Sequence, residues 1–236
     1  MENLQQVLLK RFVNSQRIGN KAFCCFILGG TMLCLTHYEK SFGAEPVLHI
    51  PKMDLPFGVY HISGANGAGK TTLLQSVAGL IPCKGSIAVS GLHIQRNRIE
   101  YRKAVAYAEA EPLYPSFLTG NDLVHFYVQT KGGSMQHALE LAATFGVEKF
   151  MHNRIETYSS GMAKKLSLLL AFVGNPKLIL LDEPLITLDA DAVNVMMQLI
   201  ASYYNKGVGF LVTSHQALPL AVPCSSMLIK DKTLHF

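Results

Sequence analysis

Eight consecutive residues, Gly64-Ala65-Asn66-Gly67-Ala68-Gly69-Lys70-Thr71, constrain this chain more than any other stretch. They satisfy G-x-x-x-x-G-K-[ST], in which glycines let backbone N–H groups curl around a phosphate while the following helix lends its positive end. That motif requires a strand before it and a helix after it. Gly58 to Ile62 reads as the strand, and a helix is expected from about Lys70 to Ala78. Lys70 is then expected to reach the β- and γ-phosphates of a nucleotide and Thr71 to offer its hydroxyl to Mg²⁺. Gly64, Ala65, Asn66, Gly67, Ala68, Gly69 and Thr72 complete the expected nucleotide contact.

Such a loop belongs to a parallel sheet flanked by helices, and the pattern downstream supplies one. Leu178-Ile179-Leu180-Leu181 is apolar without alternation, as a strand covered on both faces must be, and Val208 to Thr213 is a second strand of that kind. Ser86 to Ser90 and Ala104 to Ala108 read as shorter strands. Helices are expected at Asn121 to Thr130 and at Ser134 to Phe145, with Ser134 as N-cap, after a proline-punctuated loop from Pro112 to Thr119. Leu166, Leu169, Leu170 and Val173 recur at helical spacing until Gly174, Asn175 and Pro176 end the run.

The pair Asp182-Glu183 closes the first apolar strand, at the carboxyl edge where open parallel sheets present their ligands. Asp182 is expected to complete a Mg²⁺ shell through water and Glu183 to polarise the attacking water as general base. His215 follows the strand ending at Thr213, so its imidazole is expected at the same edge, facing the γ-phosphate. The other eight histidines have no such context.

Composition narrows the setting. With 236 residues, 49% hydrophobic and 16% charged, the chain can bury a core and is not disordered by composition. Its net charge of +5 is scattered, so nucleic acid is not the expected partner. Five cysteines without C-x-x-C spacing fit a reducing compartment. No apolar stretch reaches the ~18 residues that a membrane-spanning helix needs. Residues 1–31 differ from the rest: basic Lys10, Arg11, Arg17 and Lys21 precede an apolar run from Ala22 to Leu35. This extension reads as an added surface helix, a membrane-surface contact, or sequence upstream of a start at Met32.

Tyr158-Ser159-Ser160-Gly161-Met162, at the start of the helix that leads to Asp182, resembles the signature of the ATP-binding cassette (ABC) family, usually L-S-G-G-Q. Ser160 and Met162 in place of glycine and glutamine resemble the exporter branch. The resemblance runs from about Met32 to the C-terminus. Lys40-Ser41-Phe42-Gly43 resembles the family's A-loop, making Phe42 the ring that stacks on adenine. Leu188-Asp189 resembles its D-loop, with Asp189 at the dimer interface, and Ser214-His215 its H-loop. The glutamine of the family's Q-loop is missing after Ala104 to Ala108, and Glu109 or Glu111 is left as the oxygen ligand for a hard cation. Glu111-Pro112-Leu113-Tyr114-Pro115 resembles the loop at which a permease docks.

What the resemblance implies is an α/β P-loop NTPase (RecA-like) core with a small antiparallel β subdomain and a helical signature lobe at about 112–165, all within one nucleotide-binding domain, 32–236. It implies two such domains, identical or related, in which Ser159, Ser160 and Gly161 of one contact the γ-phosphate held by the other. It further implies an ATPase, using ATP and Mg²⁺, at the cytoplasmic face of a membrane, peripheral, powering transport of an unknown substrate through an integral membrane permease. The alternative is a soluble single-cassette ABC ATPase acting in an assembly process.

Overall fold

The computed structural model describes residues 30–216 and 218–236, so the expectations for the N-terminal extension fall, up to residue 29, outside the described residues. Two long strands open the fold, β1 (Thr31–Phe42) and β2 (Glu45–Pro56), followed by β3 (Val59–Gly64) and helix α1 (Lys70–Ala78). Next come β4 (Lys84–Val89), β5 (Leu92–His93), α2 (Arg98–Ala104) and β6 (Val105–Ala108). Helices α3 (Gly120–Lys131), α4 (Met135–Phe145) and α5 (Ser160–Phe172) lead to β7 (Leu178–Asp182). The chain finishes with α6 (Ala190–Asn205), β8 (Gly209–Thr213), β9 (Cys224–Lys230) and β10 (Thr233–His235).

The strands form a four-stranded antiparallel sheet, β2-β1-β4-β5, and a six-stranded sheet, β10-β9-β3-β8-β7-β6, parallel except at β10. The six-stranded sheet is the middle layer. Successive side chains of a strand point to opposite faces, and in β7 and β8 both sets are apolar and buried. Leu178, Leu180 and Leu211 pack with α1 and the antiparallel sheet, while Ile179, Leu181, Phe210 and Val212 pack with α4, α5 and α6. Burying side chains of this size stabilises by about 1.5–3 kcal/mol each. The strand ends are thereby fixed where the chemistry needs them.

Two local expectations are corrected. Ala104 ends helix α2, and the strand begins at Val105. Only Tyr101 and Ala104 of α2 are buried, so the helix has no apolar repeat to read. Its anchor is tertiary: the Tyr101 hydroxyl donates to the Val77 carbonyl at 2.6 Å, and burial pushes that phenol far up. Ser134 precedes α4 but makes no side-chain cap. The capping box lies instead at α3, where the Thr119 hydroxyl accepts from Asp122 N (3.1 Å) and Asp122 Oδ2 accepts from Thr119 N (2.9 Å).

Candidate nucleotide site

Strand pairing assembles the site. Ile62 of β3 and Asp182 of β7 both register with Thr213 of β8, which lies between them, so the carboxyl ends of three parallel strands are level. Gly64 to Thr72, Asp182-Glu183 and Ser214-His215 therefore leave the sheet at one edge. Gly69 precedes α1 at φ 103°, and a Cβ there would lie 3.0–3.1 Å from Leu48 and Val47 of β2, so both conformation and space demand glycine. Lys70, 8% exposed, donates from Nζ to the Gly64 carbonyl (2.9 Å) and the Ala65 carbonyl (3.3 Å). Thr71 is exposed in the first turn of α1, and the half-buried Thr72 accepts through its carbonyl from Ser76 Oγ.

Asp182 is almost fully buried and held by two hydroxyls: Thr213 Oγ1 donates to Oδ1 at 2.6 Å and the Tyr107 hydroxyl donates to Oδ2 at 3.2 Å. Burial and the adjacent Asp182 charge push the Tyr107 phenol well up, so it stays a donor. The same Thr213 Oγ1 accepts from Glu183 N at 2.9 Å. Neither Thr213 nor Tyr107 carries a motif; only a hydroxyl ending a strand beside the acidic one hints at such a role. Glu183 turns out of the strand at φ 42°, a left-handed conformation unusual for a non-glycine residue. Its Oε1 is sealed from solvent without an aligned hydrogen bond, and His215 Nε2 stands 3.3 Å away. His215 itself is half exposed.

Among the described residues, no group of three or more His, Cys, Asp or Glu could hold a metal alone. That suits Mg²⁺, which keeps several waters and is held by one or two protein oxygens plus substrate phosphates. Thr71 and Asp182 offer hard oxygens at this edge, and Oε1 of Glu183 is a buried acceptor with no aligned hydrogen bond. Glu109 is half-buried, its carboxyl pushed up by burial and by the neighbouring Asp182 charge, whereas Glu111 is exposed.

The signature residues start α5. Ser159 Oγ accepts from Met162 N at 3.2 Å, and Ser159 and Ser160 are exposed. A Cβ on Gly161 would lie 3.0 Å from the Thr187 carbonyl. Lys165 Nζ meets Asp189 Oδ2 at 2.6 Å, which holds the Asp189 carboxyl below its usual range, and Asp189 also caps α6 by accepting from Ala192 N. Signature and D-loop thus form one patch, and among the described residues no hydrogen bond or ion pair joins Ser159 or Ser160 to the phosphate loop. Phe42 ends β1, exposed, with Lys40 Nζ 4.6 Å from its ring centroid. A cavity of about 190 Å³ beside Gly67 and Ala68 is lined by Glu45 to Val47 and Ile229 to Lys232, and Phe42 is not among its lining residues.

A second concavity, about 480 Å³, runs between the end of α1, α2 and α3. Leu80, Ile99 and Phe126 are exposed along it, Arg102 and Lys103 add charge, and Tyr107 and Glu109 connect it to the acidic strand end.

A strand–phosphate loop–helix unit with an acidic pair on a parallel strand of the same sheet, one strand removed, defines a P-loop nucleotide hydrolase. A family model described as ABC transporter matches residues 53–186. The lantibiotic transport ATP-binding protein SrtF of Streptococcus pyogenes is 30% identical over 186 residues, 78% of this chain and 80% of that protein. The cytochrome c biogenesis ATP-binding export protein CcmA of Legionella pneumophila is 32% identical over 191 residues, 80% of this chain and 95% of that one. In fold, the chain matches an ATP-binding subunit of an ABC transporter with TM-score 0.76 at 24% identity, over 86% of this chain and 88% of the other. It also matches a dimeric ATP-binding cassette bound to ADP and phosphate with TM-score 0.72 at 20% identity, over 86% and 96%. The chain belongs to the ABC transporter family, and it is an ATPase that powers transport.

Proposed function

We propose that the chain hydrolyses Mg-ATP at the level edge of β3, β8 and β7 and that a separate integral membrane permease uses the resulting cycle. One observation carries this reading: strand register alone brings Gly64, Asp182, Thr213 and the following His215 together. The loop N–H groups and Lys70 bind the phosphates, and Thr71, with Asp182 acting through water, would hold a Mg²⁺ ion, which would supply charge neutralisation. Glu183 takes the proton of the attacking water, and His215 steadies its carboxylate. Ser159, Ser160 and Gly161 serve a second subunit, identical or related; the exposed Ser159 and Ser160 at the start of a helix that Lys165 ties to Asp189 suit a phosphate arriving from outside the chain. Phe42 remains the proposed adenine platform, and Glu109, half-buried and under the Asp182 charge while Glu111 is exposed, is the proposed oxygen replacing the Q-loop glutamine.

The groove lined by Leu80, Ile99 and Phe126 suits an amphipathic helix of the permease, and the proposed position of the ATPase, peripheral at the cytoplasmic face, goes with that docking. Among the described residues, no helix is long and apolar enough to cross a membrane. The experiment is purification of the tagged full chain from detergent-solubilised membranes of its host, with ATPase turnover measured on the complex. Recovery with a multispanning protein supports the reading. Soluble partners alone would transfer the ATPase to an assembly process.

A further inference from the structure

Lys164 takes no part in the nucleotide contacts assigned above, yet it is a lysine only 1% exposed, three residues after Gly161 within α5. Its neighbours along that helix, Leu166 and Leu168 to Leu170, are buried and apolar, so an apolar side chain would pack here without the cost of burying an ammonium. An ammonium has three N–H donors, and all three find backbone carbonyls: Glu109 O at 2.7 Å, Asp182 O at 2.9 Å and Ala110 O at 3.2 Å.

The Asp182 carbonyl belongs to the same peptide unit as the Glu183 N–H. That unit is gripped at both ends, its oxygen by Lys164 Nζ and its N–H by Thr213 Oγ1. It immediately precedes the left-handed turn at Glu183, φ 42°, so the tilt of this one peptide plane sets where the Glu183 carboxylate points. The other two hydrogens of the ammonium hold Glu109 and Ala110, the segment that runs from the site into the groove between α1, α2 and α3.

Resting on the assignment of Glu183 as general base, we propose that Lys164 is a positioning residue through which the signature helix α5 aims that base. A shift of α5 or of the 109–110 segment then moves the Asp182–Glu183 peptide directly, within one subunit. Lys164 makes no hydrogen bond to the phosphate loop and meets the cation-site residues Asp182 and Glu109 through their backbone carbonyls, not their carboxylates, so its effect on turnover is expected to exceed its effect on binding.

The test compares purified full-length Lys164→Met, Lys164→Gln and Lys164→Arg with the unaltered chain, reading kcat, KM and the Kd of a fluorescent ATP analogue. Lys164→Met is expected to lower kcat about 30-fold or more while the analogue's Kd stays within about threefold. Lys164→Arg, which keeps charge and donors, is expected to recover kcat to within about fivefold of the unaltered chain. An unchanged kcat in Lys164→Met, or equal losses in kcat and affinity, overturns the proposal; should that variant fail to fold, Lys164→Gln is judged by the same two criteria. If the unaltered chain itself hydrolyses no ATP, the general-base assignment falls instead. Hydrogen exchange then decides for Lys164: the Glu183 amide is expected to exchange about tenfold faster in Lys164→Met, with the rest of β7 unchanged, and equal exchange overturns the positioning role.

Discussion

At the phosphate-binding loop the polar groups on offer, backbone N–H groups and the side chains of Lys70 and Thr71, come from one octapeptide, whereas at the end of β7 they are side chains drawn from three strands. The loop is made by local spacing: glycines within one octapeptide set its turns, and Gly69 is required both by its φ and by Leu48 and Val47 beside it. The acidic end is made by register. Asp182 is held by Thr213, 31 residues away along the chain, and by Tyr107, 75 away. A local device tolerates change elsewhere in the fold and fails on a single local substitution. A device assembled by register depends on every strand that keeps it level.

Substitutions at the two places separate these behaviours. The largest effect is expected for Glu183→Gln, which leaves the loop intact: turnover falls by about 10²–10⁴-fold while ATP binding is retained, measured by phosphate release and nucleotide titration. Brisk turnover by that variant would remove Glu183 from the chemistry. Gly69→Ala is expected to act on the loop side, costing about 1–3 kcal/mol of stability from its positive φ and weakening ATP binding, measured by denaturant unfolding and titration. An alanine accommodated without loss would show that the loop is less tightly specified than its contacts indicate. Thr213→Val keeps shape but removes the hydroxyl shared by Asp182 and the Glu183 amide; a stability loss of about 1–3 kcal/mol is expected, with turnover reduced less than by Glu183→Gln.

The smallest effect concerns the helical lobe. Lys131 donates to the Arg102 carbonyl and, at 2.8 Å, to the Val105 carbonyl, and burial, with Arg102 beside it, lowers its ammonium to about 8 from an ordinary 10.5. Between those two values the unfolded chain holds a proton that the folded chain has shed. Stability conferred by this group therefore rises with pH across the window, and its burial cost is full below about pH 8. Unfolding free energies of the chain minus those of Lys131→Met are expected to increase between about pH 7.5 and 9.5. A flat difference would mean that Lys131 is solvated in solution.

The same contrast explains what could be read in advance. Leu178 to Leu181 and Val208 to Thr213 announce themselves as doubly covered strands because both faces are apolar, and the octapeptide carries its own flanking context. The signature serine is readable as an N-cap from the helix it starts. Helix α2 is not, since it buries only Tyr101 and Ala104 and its ties run to the distant Val77 and Lys131. Nor are Thr213, Tyr107 and Lys164, whose partners lie 18 to 75 residues away and come together only when the sheet forms. Phe42 is singled out by resemblance alone, and its ring is exposed beside Lys40.

Glu183 sits at a backbone angle that glycine or asparagine would occupy more comfortably, and it carries an oxygen walled off from water without a hydrogen bond. A breeder selecting variants purely for heat resistance would be drawn to replace it. Glu183→Gly is expected to raise the unfolding free energy by about 1 kcal/mol or more while ending turnover. At this position the hardiest descendant is an inert one, and the glutamate persists in a lineage only while its work is demanded.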